Sequence, residues 1–120
     1  MIFTVDIKPM SVNEAWKGRR FKSVAYKDYE RSLLWLLPKN IKPIEGRVEV
    51  RFRFHMKNHK LADWDNPIKP LQDVLVKSGI ISDDRNIYIG MAQKVVGERD
   101  FFEVMVIPYV ERNIFDTSAF

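Results

Sequence analysis

The sequence contains no cysteine and no long apolar run, and each absence removes a class of protein. Without cysteine the chain forms neither disulfides nor thiolate metal sites, which fits a reducing cytoplasm. No apolar run approaches the roughly 18 residues of a membrane-spanning helix. Residues 1–10 lack the charge, apolar stretch and cleavage site of a signal peptide. We therefore expect a cytoplasmic protein without a membrane span.

The charge is unevenly distributed along the chain. The 120 residues carry a net charge of +4. Residues 1–60 hold 14 Lys and Arg against 6 Asp and Glu, and residues 61–120 hold 6 against 10. A basic half suits a polyanion such as nucleic acid, and an acidic half tolerates phosphate only if its carboxylates hold cations. Ordinary solvated surface charge would give the same asymmetry.

Hydrophobic periodicity predicts the element order β-α-β-α-β-β in one domain. We expect an α+β fold with one mixed sheet and both helices on one face. Residues 1–108 form this domain, and 109–120 are a C-terminal tail without an assigned role. The predicted elements are strands at Ile2–Ile7 and Arg47–Met56, helices from Ser23 to about Leu37 and from Ile68 to about Lys77, and a hairpin of Ile87–Val96 with Phe101–Ile107.

Local signals set the helix ends. Ser23 is a candidate N-cap of the first helix, and Asp65 or Asn66 a candidate N-cap of the second, which Gly79 ends. The apolar stripe of the first helix is expected to be buried and consists of Tyr26, Tyr29, Leu33, Leu36 and Leu37.

The most informative stretch is acidic and lies at the start of the second helix. Asp63 and Asp65 are one residue apart, Lys69 follows four residues later, and Asp83 and Asp84 come after the helix. Hard cations such as Mg²⁺ take carboxylate oxygens together with substrate phosphates. A nearby lysine stabilises negative charge at a reacting phosphate. The pattern predicts a metal-dependent phosphodiesterase site, and hence a nuclease.

A purely structural interpretation of these residues is also open. Asp65 or Asn66 would cap the helix, and Lys69 would pair with Asp65 or Asp73 at helical spacing. Asp83 and Asp84 would be ordinary turn residues.

Several basic residues are candidates for DNA contact. Some lie in a loop with Trp16 and Phe21, some on the polar face of the strand Arg47–Met56, and some just before the acidic stretch. Alternatively, the aromatics pack on the core and the charges are solvated. The candidates are Arg19, Arg20, Lys22, Arg51, Arg53, Lys57 and Lys60.

No zinc site is expected at the two histidines. His55 and His59 have a metal-ligand spacing only on a helix, whereas this segment is predicted to be strand and loop.

The residues also resemble a known family. Asp-x-Asp-Asn-x-x-Lys-x-x-x-Asp-x-Leu, here Asp63 to Leu75, followed by Gly79 and Asp83-Asp84, is similar to the RusA family of Holliday junction resolvases. Pro9 to Asn13 resembles the family's Pro-x-Ser-x-Asn near the N-terminus. The resemblance covers roughly residues 1–108. The approach to the acidic stretch, Lys57 to Ala62, departs from the more basic one of the best-known member.

The resemblance implies an activity and residue roles. It implies a Mg²⁺-dependent (or Mn²⁺-dependent) homodimeric endonuclease that cuts branched DNA, bacterial or phage-encoded. Asp63, Asp65 and Asp84 match the metal-binding aspartates, with Asp83 possible in place of Asp84, and Lys69 matches the catalytic lysine. The alternatives are a non-catalytic branched-DNA-binding protein, or a metal-dependent nuclease acting on flaps or RNA.

Chain length sets how Asp84 reaches the site. The second helix rises roughly 15 Å away from Asp65. The return segment from Ser78 spans at most about 23 Å. The chain must therefore reverse at Gly79 and run back along the helix, with Ile80 and Ile81 packed on the way. We expect Asp84 within about 8 Å of Asp65 in the same subunit, a span that shared metal ions bridge.

Overall fold

The fold is α+β, with one mixed four-stranded sheet, as predicted. The structure, a computed structural model, describes residues 1–17, 21–58, 60 and 63–118. None of the helices described is long and apolar enough to cross a membrane. The elements are β1 (Ile2–Val5), α1 (Val12–Ala15), β2 (Trp16–Lys17), β3 (Phe21–Lys22), α2 (Val24–Leu36), β4 (Val48–Met56), α3 (Ile68–Lys77), a 3-10 turn (Asp84–Asn86), β5 (Ile87–Val96) and β6 (Phe101–Pro108).

The sheet has the order β1-β6-β4-β5, so the predicted hairpin of β5 with β6 is wrong. Instead β4 lies between them, parallel to β5 and antiparallel to β6. The connection from β5 to β6 crosses the end of β4, where Gly97 N donates to Met56 O at 3.0 Å and Lys57 N to Asp100 Oδ1 at 2.9 Å. The physical reason is burial, because β4 has five buried apolar side chains and takes the centre of the sheet.

Both long helices pack on one face of the sheet, which we call the inner face; the opposite face is the outer face. The alternation predicted for β4 is confirmed on the inner face. Leu36 is a correction: it is 46% exposed, because the buried stripe continues from Leu33 to Leu37 at a spacing of four. The main core residues are Tyr29, Leu33, Leu37, Val48, Val50, Phe52, Phe54, Leu71, Val74, Leu75, Phe102, Val104 and Val106.

The helix ends agree only partly with the local signals. Ser23 caps α2 as predicted, since its hydroxyl accepts from Tyr26 N at 3.0 Å. Gly79 follows α3 with φ +85°, also as predicted. The predicted cap of α3 is wrong, because Pro67 occupies the N-cap position and no side chain caps it. The segment before α2, predicted as a loop, contains α1 and the two-stranded β2–β3 sheet.

Candidate active site

The acidic pair lies in a turn that leads into α3. Asn66 N donates to Asp63 O at 3.3 Å, and Ile68 N to Asp65 O at 3.0 Å. Both aspartates are exposed. Since no side chain caps α3, the Asp65 carboxylate does not serve the helix end as the structural interpretation required. The turn thus brings both carboxylates to the entry of α3 with their oxygens available.

A second segment supports this turn. Val12 N donates to Asn66 O at 3.0 Å, so the stretch Pro9 to Asn13 adjoins the acidic turn. Ser11 is buried, and its hydroxyl accepts from Asn13 N at 3.2 Å. Sequence reasoning found the two motifs separately and missed their contact. The signal in the sequence that could have predicted this contact is that both motifs occur in the pattern of one family.

Lys69 points along α3 to a carboxylate. Its Nζ lies 2.9 Å from Asp73 Oδ1, one turn further on. The hydrogen bond with Asp73 raises the pKa of Lys69, burial opposes the increase, and the charges of Asp73 and Asp84 add to it. Lys69 is therefore a stable cation, and Asp84 lies within its electrostatic reach.

The chain returns from α3 along the predicted path. After Gly79, Ile81 N donates to Leu75 O at 3.2 Å. Ile80 and Ile81 are 5% and 1% exposed, and Ile81 forms a parallel bridge with Ile44. The predicted reversal and packing are confirmed. The expected proximity of Asp84 to Asp65 stays a prediction.

Asp83 and Asp84 differ in their surroundings. Asp83 caps the 3-10 turn, accepting from Arg85 N at 2.9 Å and from the Arg85 guanidinium at 2.9 and 3.2 Å. These bonds from Arg85, with a smaller contribution from Asp84, lower the pKa of Asp83 to about 2. Asp83 therefore has a structural role in the 3-10 turn, and its oxygens already accept hydrogen bonds from Arg85. Asp84 is exposed and, in the described part of the chain, has no ion pair.

The donor chemistry at this site fits a hard divalent cation. Asp63, Asp65 and Asp84 are exposed carboxylates, and none of them pairs with a cationic side chain among the described residues. Carboxylate oxygens are the ligands that Mg²⁺ and Mn²⁺ prefer. In residues 1–17, 21–58, 60 and 63–118, no three His, Cys, Asp or Glu side chains are already grouped as a metal cluster.

The predicted DNA-contact residues fall into separate groups. Lys57 and Lys60 are exposed in the loop before the acidic turn. Lys22 is paired with Glu30 at 3.0 Å and lies 5.0 Å from the centre of the Tyr26 ring. The described residues do not include Arg19, Arg20 or His59. The side chains of Trp16 and Phe21 also lie outside what the structure describes.

Arg51 and Arg53 lie on the outer face, on the side of the sheet opposite to α3. Arg51 Nε is 2.7 Å from Glu49 Oε2, and Arg53 is 3.5 Å from Glu103. His55 Nε2 also lies 2.7 Å from Glu103, and its ring stacks on Phe101. The basic face expected from the alternation of β4 is thus largely neutralised by carboxylates. DNA contact by Arg51 and Arg53 stays a prediction.

Comparison with known proteins relates the sequence to a family of nucleases. The profile of the family described as endodeoxyribonuclease RusA matches residues 6–107. A crossover junction endodeoxyribonuclease RusA from Aquifex aeolicus (strain VF5) is 30% identical over 73 residues. That alignment covers 59% of this chain and 58% of the Aquifex protein, so less than two thirds of the length of that relative is matched.

Proposed function

This chain belongs to the RusA family of endodeoxyribonucleases, and on that premise we propose that it resolves Holliday junctions. It would hydrolyse phosphodiester bonds in two symmetric strands of four-way DNA during recombination and repair. It would act in the cytoplasm of a bacterium, encoded by the host or by a phage. The observation that carries the proposal is the exposed pair Asp63 and Asp65 at the entry of α3, with Lys69 one turn along the helix and within reach of the charge of Asp84.

The acidic residues would hold a divalent metal. Asp63, Asp65 and Asp84 are its proposed ligands, and Mg²⁺, with Mn²⁺ as a substitute, matches their oxygen donors. When bound, such an ion supplies a hydroxide nucleophile at neutral pH and neutralises phosphate charge. Asp83 is the less suitable ligand, because its oxygens already accept three hydrogen bonds from Arg85.

Lys69 would stabilise negative charge that develops on the scissile phosphate. Its ammonium is kept cationic and directed along α3 by Asp73. A fixed cation at this place lowers the barrier more than it strengthens ground-state binding, because the charge is greatest in the transition state. Lys69 is therefore a proposed catalytic residue, whereas Asp73 would act by positioning it.

DNA would approach along the basic residues near the acidic turn. Lys57 and Lys60 precede the turn and are exposed. Phosphate contacts of this kind supply affinity without sequence preference and make it depend on salt. Arg51 and Arg53 could contact DNA only by sharing or giving up their carboxylate partners. The remaining proposed contacts are Arg19, Arg20 and Lys22.

Two copies would act together. A four-way junction contains two equivalent strands that must be cut, and a C₂ dimer offers two identical sites related by the same symmetry. We therefore propose that the active form is a homodimer.

Cleavage of a synthetic four-way junction with and without Mg²⁺ tests this function. We expect paired, symmetric cuts only with the metal, and weaker cutting of matched duplex, flap and RNA substrates. Binding without cutting at any metal concentration would indicate a branched-DNA-binding protein. A preference for flaps or RNA would indicate a metal-dependent nuclease that acts on those substrates instead of junctions.

A further inference from the structure

The last turn of α2 has an exposed apolar surface that takes no part in the proposed nuclease site. Trp35 is 82% and Leu36 46% exposed. An exposed tryptophan beside a second large apolar side chain is typical of a surface that meets a partner. These side chains and their neighbours form a groove, which we call the α2 groove. The described residues that line it are Arg31, Ser32, Leu34, Trp35, Leu36 and Lys39.

The charges at the α2 groove have one sign. Of the described residues that line it, the charged ones are Arg31 and Lys39, and both are cations. The Lys39 ammonium donates to Leu34 O at the end of α2, which holds it beside the groove with further donors to spare. Arg31 lies 3.7 Å from Asp28, and the pair is weak because these side chains are 81% and 63% exposed. The Arg31 guanidinium is therefore available to a carboxylate from outside the chain.

The α2 groove lies at the end of α3 that is remote from the acidic turn. A neighbouring depression shares Leu34 and Lys39 with it and reaches Gly79 and Ile80, which follow α3. The acidic turn precedes the other end of this helix, whose 10 residues rise about 15 Å. A molecule in the α2 groove therefore leaves the proposed metal ligands uncovered.

The charges around the groove favour an acidic peptide over DNA. Phosphate contacts of a nucleic acid strand require a series of cations that it can neutralise. Lys77, the last residue of α3, is already paired with Glu30. A short peptide needs less, namely an apolar anchor for Trp35 and carboxylates for the two cations of the groove.

We propose that the α2 groove docks a short acidic segment of a partner protein, with an apolar side chain of that segment on Trp35 and Leu36 and its carboxylates paired with Arg31 and Lys39. Apolar contact supplies the affinity, and two cations of like sign supply selectivity for carboxylates. Such docking brings the chain to a partner and leaves the acidic turn open to its substrate. This inference goes beyond the proposed nuclease, because none of these residues is a proposed metal ligand or DNA contact.

Fluorescence anisotropy with the full chain tests the docking. The probe is a fluorescein-labelled synthetic peptide in which aspartates flank two leucines, and its control peptide has lysines in place of the aspartates. We expect wild type to bind the aspartate peptide about tenfold or more tightly than the lysine peptide. Trp35→Ala should raise the dissociation constant of the aspartate peptide about tenfold or more, as loss of an interface anchor does. The matched control Val24→Ala, at a position 76% exposed at the start of α2, should leave it nearly unchanged.

Reversal of one charge tests the chemistry of the partner. Arg31→Glu should weaken binding of the aspartate peptide and strengthen binding of the lysine peptide, each about fivefold or more. Lys27→Glu makes the same change of net charge on α2, at an exposed position outside the residues that line the groove, and should have a much smaller effect. Circular dichroism of each variant checks that the fold is kept. Equal effects of the two reversals would indicate attraction to net charge alone and overturn the proposal.

Other results would also overturn the docking. They are a wild type that binds the two peptides equally or binds neither, and an aspartate peptide that binds Trp35→Ala as tightly as wild type. Single-stranded oligothymidine that displaces the aspartate peptide and itself depends on Trp35 would assign the groove to DNA by base stacking.

Junction cleavage by the same proteins separates this inference from the proposed function. Trp35→Ala should cut a synthetic four-way junction at the rate of wild type. A slower rate would place the groove in the path of the DNA and overturn the proposal. A wild type that binds the aspartate peptide but cuts no junction would overturn the nuclease and leave the docking supported.

Discussion

Lys69 Nζ and Asp73 Oδ1 lie 2.9 Å apart, one helical turn from each other on α3. An exposed i,i+4 pair contributes only about 0.3–0.5 kcal/mol to stability. Its importance here is geometric, because the lysine follows the acidic turn and its ammonium is otherwise free to sample many rotamers. The pair therefore connects the fold of α3 to the proposed chemistry.

Replacing Lys69 with alanine should reduce kcat for junction cleavage about 100-fold or more and leave the dissociation constant for the junction nearly unchanged. The reason is that its charge would act mainly in the transition state. Single-turnover kinetics and a binding titration separate the two effects. A variant that only binds less tightly would reassign Lys69 to DNA docking.

Asp73→Asn should lower kcat less than Lys69→Ala does, by about tenfold, since the ammonium is kept but no longer held. Asp73→Glu should recover part of the rate. The matched control is Asp28→Asn, which breaks the exposed pair of Asp28 with Arg31 on α2. Equal rates for Asp73→Asn and the control would show that Lys69 needs no positioning.

Asp65→Asn should abolish cleavage while binding to the junction survives or becomes tighter. The substitution removes a proposed metal ligand and also lowers repulsion of phosphate. Gel-shift titration and a cleavage assay with purified variant, free of wild-type enzyme, measure both. Near-normal cutting would contradict the assignment of Asp65 as a ligand.

The salt dependence of junction binding should separate the two groups of basic residues. Lys57→Ala with Lys60→Ala should reduce the slope of log K against log[salt] by about 1 for each lysine that neutralises a phosphate in the wild-type complex. Arg51→Ala with Arg53→Ala should leave the slope nearly unchanged, because Glu49 and Glu103 already neutralise these two arginines. A flattened slope for the arginine pair would instead support the DNA contact predicted from the sequence.

Glu49 should make stability depend on pH. Its pKa in the folded protein is held below the usual 4.5 by Arg112 and Arg51. The stabilisation that ionised Glu49 contributes is therefore complete above about pH 4.5. It is lost as the pH falls through the lower pKa of the folded state. Glu49→Gln should lower stability by about 2 kcal/mol near pH 7, because it weakens the hydrogen bond from Arg51 and removes the ion pair with Arg112. The difference from wild type in thermal melts should shrink as the pH falls below about 4.5, and a constant difference would contradict this.

Short-range signals in the sequence predicted much of the fold. Ser23 and Gly79 mark helix ends because capping and positive φ are local properties. The bounds of β5 follow from alternation and the flanking turn residues, again within a few positions. The acidic turn was found in the same way, since its residues lie close together in the chain.

These local signals could not predict which strands pair or which residues far apart in the chain come into contact. The insertion of β4 between β5 and β6 depends on which strand is most buried, whereas the short turn between β5 and β6 favoured a hairpin. Alternation predicted Glu49 only on the polar face of the strand, and it could not predict that Arg112 of the tail pairs with it from 63 positions further along the chain. Local capping preferences predicted Asp65 or Asn66 as the N-cap of the helix, whereas Pro67 occupies that position.

The decisive test of metal-dependent junction resolution is cleavage of a synthetic four-way junction, mapped at nucleotide level with Mg²⁺ and again after chelation. We expect two cuts at symmetric positions in opposing strands, which are abolished by chelation and absent in the Asp65→Asn variant. Cutting that persists without a divalent metal, or binding without any cut, would contradict this expectation.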